Sequence, residues 1–149
     1  YLSKNQISYA RYLGCRKGFE TCGLSFDPEQ NYVACRYSME AGYDTVKELL
    51  RRNSDVTAIV ALSDTIAFGA MRAIQDSGRR VPEDISVTGF DGIELAQFSI
   101  PRITTIKQDT QHIATRSVEL LIKHIHYNLE SEHDIAPHNL IEGESVRTL

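Results

Sequence analysis

The stretch that decides the fold runs from Thr57 to Gly78 and reads TAIVALSDTIAFGAMRAIQDSG. Residues 57–62 form an uncharged, largely apolar run, which is typical of a strand buried on both faces of a parallel sheet. Ser63 then predicts a helix N-cap, and an apolar face with helical spacing follows up to Gly78. That face consists of Ala67, Ala70, Met71 and Ile74. A buried strand that leads directly into an amphipathic helix predicts an α/β fold.

The same alternation of strand and helix patterns continues on both sides of this stretch. Short β-prone runs predict further strands at 31–35, 85–90, 103–106 and near 140–141. Apolar residues at helical spacing predict helices at 12–22, 42–50 and 109–129, with a short helix or turn at 93–98. Because the connections are short, we expect a mainly parallel sheet in a three-layer α/β/α arrangement.

Composition excludes several classes of function for these 149 residues. Acidic residues outnumber Lys and Arg by 20 to 16, and basic residues never occur more than two together, so no basic stripe for nucleic acid is present. No apolar run approaches the roughly 20 residues of a membrane-spanning helix, and no signal peptide is visible. The three cysteines form no C-x-x-C pair, which indicates reduced thiols in a cytoplasmic protein.

The common catalytic and nucleotide-binding motifs are missing. The sequence contains no G-x-G-x-x-G, G-x-x-x-x-G-K-[ST], G-x-S-x-G or H-E-x-x-H. Of the five histidines, His124 and His126 lie two apart on a predicted helix and so point in different directions. The sequence therefore predicts a binding protein with no metal or cofactor rather than an enzyme.

Polar or aromatic side chains follow four of the predicted strands at the point where each strand ends. Asp91 and Gln108 each come at such an end, as do Ser63 with Asp64 and Tyr37 with Arg36. Carboxyl ends of parallel strands meet at one rim, where ligands bind in open α/β sheets. Arg11, early in the first helix, can reach the same rim. Guanidinium, carboxylate, amide and aromatic groups together suit a polyhydroxyl ligand such as a sugar.

Each of these residues also has a plain structural interpretation. Ser63 can serve only as a helix cap, and Asp64 can serve only the positive end of the helix. Arg11 can form a surface ion pair, and Tyr37 can be ordinary surface or core. Their coincidence at one rim favours the ligand hypothesis for Arg11 and Asp91.

Motifs spread along the chain resemble the ligand-binding region of the lactose and galactose repressor (LacI/GalR) family of bacterial transcription regulators. Residues 57–78 resemble its strand and [ND]-D-x-x-A-x-G-x-x-x-A helix, and VPEDISVTGFD (81–91) resembles its V-P-x-D-[IL]-S-[VI]-x-G-[FY]-D signature. PRITTIKQD (101–109) is similar to its P-x-L-T-T-[IV]-x-Q-x segment, and Arg11 with Gly14 matches its R-x-x-G. The resemblance implies a periplasmic-binding-protein-like fold of two lobes. Residues 1–109 would form the C-terminal lobe, and 110–149 would return onto an N-terminal lobe.

The resemblance also implies roles for individual residues. Arg11, Ser63, Asp91 and Gln108 stand where the family's effector contacts from this lobe stand, and Tyr37 stands where an aromatic ring stacks on the sugar. Two positions depart from the family pattern. Ser63 replaces a frequent Asn or Asp, which shortens its reach, and Cys15 replaces the usual aromatic residue after Gly14.

The family further implies a homodimer, with a tetramer left open. The expected isologous patch is Ile66, Phe68, Met71, Leu95 and Phe98, with core packing as the alternative for each residue. Operator DNA would be bound only by an N-terminal helix-turn-helix domain outside these residues.

The function implied by the resemblance is that of the effector-binding and dimerisation region of a cytoplasmic, sugar-responsive repressor. Such a repressor would control carbohydrate uptake or catabolism and would need no cofactor. A periplasmic sugar-binding protein of a transporter is the alternative, and an enzyme of this architecture ranks third.

Overall fold

A computed structural model describes residues 7–127 and 134–148 of the chain. The helices are α1 (Ile7–Thr21), α2 (Pro28–Asn31), α3 (Met39–Arg52), α4 (Asp64–Asp76) and α5 (Thr110–Tyr127), with a 3-10 helix at Glu94–Gln97. The strands are β1 (Ala58–Val60), β2 (Ser86–Thr88), β3 (Thr105–Gln108) and β4 (His138–Ile141). From α3 onward this order confirms the predicted alternation of strands and helices. The predicted end of the last helix, at 129, lies outside the described residues.

The strands form a parallel arrangement that a final antiparallel strand extends. β1 pairs with β2 in parallel, with Ile59 opposite Val87. Isolated parallel bridges at Thr88–Thr104 and Asp91–Lys107 connect β2 and the turn after it to β3. β4 then pairs with β3 in the antiparallel direction. The carboxyl ends of β1, β2 and β3 therefore lie on one side, as a ligand rim requires.

The prediction of a strand at 31–35 is wrong. The chain forms α2 up to Asn31 and then runs without a strand partner to Arg36, although Tyr32 keeps an extended backbone. Asp27 caps α2 by accepting a hydrogen bond from the Glu29 backbone N–H, and Pro28 occupies the first turn, where its missing N–H costs nothing. A β-prone run becomes a strand only where a neighbour supplies hydrogen bonds, and no described strand lies beside this one.

The two central helices pack together through glycines. A Cβ atom on Gly42 of α3 would lie 2.6 Å from the carbonyl oxygen of Ile66, and one on Gly69 of α4 would lie 2.6 Å from the backbone nitrogen of Tyr43. The backbones of α3 and α4 thus approach too closely for any side chain at these positions. This contact holds α4 in place, and α4 in turn carries Ser63 and Asp64 at its N-terminal end.

The core lies around α4 and the adjacent strands. Its fully buried members are apolar side chains of α4, of β2 and of the segments that flank β2 and β3, namely Ala67, Ala70, Ile74, Ile85, Val87, Ala96 and Ile103. In contrast, several apolar side chains of α5 are exposed, namely Val118, Leu121, Ile122 and Ile125. Within residues 7–127 and 134–148, no helix combines the length and the hydropathy of a membrane span.

The C-terminal segment returns to this sheet. β4 pairs with β3, and the buried hydroxyl of Ser145 donates to the carbonyl of Val87 at 2.6 Å and accepts from the backbone N–H of Thr104 at 2.9 Å. Arg102 and Glu144 form a surface ion pair beside it. Residues 138–145 thus pair with strands of this lobe, whereas the prediction returns all of 110–149 onto an N-terminal lobe. For α5 the division stays a prediction, with its exposed apolar side as the surface that a second lobe would cover.

Candidate ligand site

Three of the five predicted ligand residues meet at the ends of the parallel strands. Arg11 of α1 donates through Nη2 to Asp91 Oδ1 at 2.8 Å, and Gln108 Nε2 donates to the same oxygen at 2.9 Å. The three side chains come from α1, from the turn after β2 and from the end of β3. Strand ends that are far apart in the sequence thus bring together one carboxylate and two donors, as the rim hypothesis expects.

Arg11 is held by three different groups. Besides its bond to Asp91, Nη1 donates to the carbonyl oxygen of Leu62 at 2.7 Å. Its guanidinium carbon lies 4.0 Å from the centre of the Phe90 ring, a cation–π arrangement. The side chain is only 12% exposed. Arg11 is therefore fixed at the rim, and a guanidinium has more N–H donors than these two bonds use.

Asp91 has an unusual backbone conformation. Its φ of 116° lies in the positive region that residues other than glycine avoid, and Gly92 follows with a φ of 68°. Backbone hydrogen bonds hold the residue there: its N–H donates to the carbonyl of Ile106 at 3.0 Å, and its own carbonyl accepts from the Gln108 N–H at 3.3 Å. Strain of this kind persists where the surroundings fix it, and it concentrates at functional sites.

The charge environment of Asp91 is mixed. Burial raises the pKa of this carboxyl above its ordinary value of 3.8, and the nearby charge and hydrogen bond of Arg11 offset part of that rise. Among the described residues, the two side chains that donate to Asp91 both bond Oδ1, and the Asp91 side chain is 28% exposed. Within the described residues, Oδ2 accepts no hydrogen bond from another side chain.

A large cavity opens beside these residues. Arg11, Asp91 and Tyr37 all line it, and its volume is about 1140 Å³. Its other walls come from α1, residues 30–35, α3 and β1, and they include the rings of Tyr12, Phe19, Phe26 and Tyr32. Tyr12 contacts Phe26 and Tyr32 edge to face, with centroids 5.8 and 5.2 Å apart. Apolar walls with a few convergent polar groups are typical of small-molecule sites.

Ser63 and Tyr37 do not join the hydrogen-bonded group of Arg11, Asp91 and Gln108. Ser63 is buried, and its hydroxyl accepts from the backbone N–H of Ile66 at 3.2 Å, which is the helix-capping role that the sequence left open. A ligand that contacted Ser63 would have to share its hydroxyl with the backbone N–H of Ile66. Tyr37 is half exposed at the cavity and directly precedes Ser38, the N-cap of α3. Both stay predictions as ligand contacts.

Sequence reasoning missed two partners of Arg11 and the bonding of Asp64. The carbonyl of Leu62 and the ring of Phe90 belong to residues that the pattern marked only as strand. Asp64 is completely buried, and it accepts from Thr105 Oγ1 at 2.6 Å and from the backbone N–H of Ile93 at 2.8 Å. The signals for Asp64 were its place after the predicted strand 57–62 and in the [ND]-D motif, and the signal for Thr105 was its place in PRITTIKQD (101–109). The strand itself, β1, is more exposed than predicted, since Ala58 and Val60 are exposed.

The five residues of the predicted dimer patch divide into two groups. Ile66 and Met71 are buried in the core and Phe68 packs against it, so their burial favours the core-packing alternative. Leu95 and Phe98, in and after the 3-10 helix, are 50% and 73% exposed. These two side chains remain accessible to a partner, and the patch stays a prediction that rests on them.

Comparison with known proteins identifies the family. The family model of the periplasmic binding protein-like domain matches residues 2–146. The chain is 38% identical over 139 residues to the HTH-type transcriptional regulator MalR of Clostridium butyricum, covering 93% of this chain and 41% of that protein. It is 34% identical to the HTH-type transcriptional regulator RegA of Clostridium saccharobutylicum, covering 91% and 41%. The chain thus spans about two-fifths of the length of these relatives.

Solved structures agree with this assignment. The complex of the transcriptional regulator CelR with cellobiose superposes with a TM-score of 0.87 at 28% identity, covering 96% of this chain and 44% of that one. A LacI family regulator from Enterococcus faecium with bound ribose gives 0.80 at 28%, covering 95% and 52%. The lac repressor dimer bound to operator and an anti-inducer gives 0.81 at 29%, covering 93% and 47%. The chain belongs to the periplasmic binding protein-like domain family, in the form that LacI/GalR-type transcriptional regulators carry.

Proposed function

We propose that this chain is the effector-binding and dimerisation region of a LacI/GalR-type repressor that responds to a sugar and regulates carbohydrate uptake or catabolism. MalR and RegA are transcriptional regulators, and solved neighbours hold cellobiose or ribose. Operator DNA would be contacted by a separate helix-turn-helix domain, since these residues carry a net charge of −4 and no basic stripe. The proposed location is the cytoplasm, where the three free cysteines stay reduced.

The observation that carries this proposal is the carboxylate of Asp91. Arg11 and Gln108 hold Oδ1, so the orientation of the group is fixed before a ligand arrives. Oδ2 can then accept from a ligand hydroxyl, and unused donors of Arg11 can bind the hydroxyl oxygen beside it. Tyr37 would stack on the apolar face of the sugar ring, and Gln108 would refine specificity.

Effector binding would act on DNA through the relative orientation of the two lobes. A ligand that contacts both lobes shifts the population towards the closed arrangement by as much as its affinity differs between the two states. In a dimer this shift would change the relative orientation of the two helix-turn-helix domains. Leu95 and Phe98 are the proposed contact between the two copies.

Calorimetry on the full-length protein tests the site. We expect one of cellobiose, lactose or ribose to bind, and Asp91→Ala to weaken that binding at least about tenfold, because a hydrogen bond to a charged group is lost. Asp84→Ala, which removes an exposed carboxylate paired with Arg80, is the matched control and should bind as wild type does. Unchanged affinity in Asp91→Ala would remove Asp91 from the site.

Sequencing the reading frame upstream of Tyr1 distinguishes a repressor from a periplasmic sugar-binding protein. A helix-turn-helix coding segment is expected there. A signal peptide in its place would instead indicate a periplasmic sugar-binding protein of a transporter, which shares this fold.

A further inference from the structure

Asp64 is a buried carboxylate whose bonding pattern the ligand contacts do not explain. It is the first residue of α4 and is completely buried, whereas Glu40 in the first turn of α3 is exposed. Both helices begin with a capping serine, Ser63 and Ser38, so helix capping does not require the burial. A carboxylate without access to water is costly unless its oxygens accept hydrogen bonds. The partners of Asp64 therefore indicate its role.

These partners lie on both sides of the strained turn at Asp91. The backbone N–H of Asp64 donates to the carbonyl of Phe90 at 2.7 Å, and Asp64 Oδ2 accepts from the N–H of Ile93 at 2.8 Å. Phe90 and Ile93 bracket Asp91 and Gly92, the two consecutive residues with positive φ. A single residue thus holds the entry and the exit of this turn.

The second carboxylate oxygen ties the turn to the sheet. Asp64 Oδ1 accepts from Thr105 Oγ1 at 2.6 Å, and Thr105 is buried at the start of β3. Gly89 and Asp64 are tightly packed, because a Cβ atom on Gly89 would clash with the Asp64 carboxylate. Any displacement of Asp64 must therefore move the chain that leads into Asp91.

We propose that Asp64 and Thr105 form a buried clamp that positions the Asp91 carboxylate for the ligand without touching the ligand itself. This inference rests on the proposed function, and it adds two positioning residues to the site. The clamp holds the positive φ of Asp91, which the side chain alone would avoid. It thereby aims the carboxylate at Arg11 and Gln108.

Four single variants of the full-length protein separate positioning from stability. Thr105→Val removes the hydroxyl at nearly constant volume, and Thr105→Ser keeps it. Asp64→Asn keeps an oxygen for the Ile93 N–H but removes the charge. Glu40→Gln is the matched control, because it removes a first-turn carboxylate and its interaction with the helix dipole at an exposed site.

Calorimetry with cellobiose, lactose and ribose gives the first readout. We expect Asp64→Asn and Thr105→Val to weaken binding at least about fivefold at a temperature where circular dichroism shows them folded, since misplacing a charged acceptor loses most of its bond. Thr105→Ser and Glu40→Gln should stay within about twofold of wild type, the range expected when no buried bond is lost. Lower melting temperatures with unchanged affinities would overturn the clamp, because Asp64 would then serve folding alone.

Nuclear magnetic resonance gives a readout that needs no ligand. We expect the amide signals of Asp91 and Gly92 to move in Asp64→Asn and Thr105→Val and to stay in Glu40→Gln. The titration midpoint of the Asp91 carboxyl should fall in Asp64→Asn, since the Asp64 charge adds to the rise that burial causes in its pKa. If these signals move but wild type binds none of the sugars, the clamp stands and the sugar proposal fails. Unmoved signals in both clamp variants would overturn the clamp.

Discussion

At the residue scale, the properties of Asp91 follow from its neighbours more than from its own chemistry. Its positive φ, its half-buried carboxyl and the two donors on one oxygen depend on contacts with α1, α4 and β3. The sequence could mark Asp91 because a carboxylate after a buried strand is a strong signal at a sheet rim. It could not show that Arg11 and Gln108 share one oxygen, because that depends on the path of two other elements.

The raised pKa of Asp91 predicts how effector binding depends on pH. Burial raises the pKa of the carboxyl above 3.8, so it takes up a proton at a higher pH than an exposed aspartate does. A protonated carboxyl accepts hydrogen bonds poorly, and effector affinity should therefore fall as the pH drops through this raised value. Calorimetry at a series of pH values checks this, and Asp91→Asn should lose the acid-side change.

The same rise in the pKa of Asp91 affects folding stability in the opposite direction from effector affinity. Because folding favours the neutral form of Asp91, its contribution to stability is complete below the unfolded pKa and is lost as the pH rises through the folded one. Protonation of Asp91 by acid should therefore weaken effector binding without destabilising the fold. Affinity that stays constant down to the pH of acid unfolding would contradict the assignment of Asp91 as the acceptor.

At the element scale, helices were predicted more reliably than strands. The apolar faces predicted around Ala70 and Val46 are found on α4 and α3. Such helices are predictable because their backbone hydrogen bonds are local and only their apolar side needs a packing partner. The run at 31–35 did not become a strand, since a strand needs a neighbour that no local pattern supplies. These residues instead form one wall of the cavity.

The contact between α3 and α4 predicts an effect on stability. Gly69→Ala would place a Cβ against the carbonyl of Met39 and the backbone of Tyr43, and neither can move without shifting a helix. We expect a loss of about 1–3 kcal/mol in the free energy of unfolding. Urea unfolding followed by circular dichroism measures it.

Gly18→Ala is the control for this change. Gly18 lies within α1, and apart from its chain neighbours and the adjacent helix backbone no described atom lies within 4 Å of the place its Cβ would take, so alanine should raise helix stability by about 0.5–1 kcal/mol. If Gly69→Ala also stabilised the protein, the close approach of the two helices would be wrong.

At the scale of the whole molecule, the exposed apolar surfaces show where further contacts are expected. One surface is the side of α5 that carries Leu121 and Ile125, and the other is the pair Leu95 and Phe98. Large apolar side chains left exposed together are typical of interfaces. The domain prediction assigns the first to a second lobe, and the dimer proposal assigns the second to another copy.

The dimer proposal predicts a specific change in assembly. Phe98→Asp should weaken association of the full-length protein at least about tenfold, because a desolvated charge would replace an apolar contact, while the fold stays intact. Sedimentation velocity over a range of concentrations measures this. Leu24→Asp changes another exposed apolar residue and should leave association unchanged. Equal dimerisation of Phe98→Asp and wild type would remove Phe98 from the interface.

The sequence by itself determined the order of helices and strands from α3 onward, the family and the rim at which Arg11, Asp91 and Gln108 meet. Each of these follows from local spacing or from motifs that are contiguous in the chain. Only the tertiary structure decided that Ser63 is buried, that Ile66 and Met71 lie in the core, and that Asp64 bonds both ends of the Asp91 turn and also Thr105. Burial and shared hydrogen bonds depend on residues that are distant in the sequence, so no local pattern contains them.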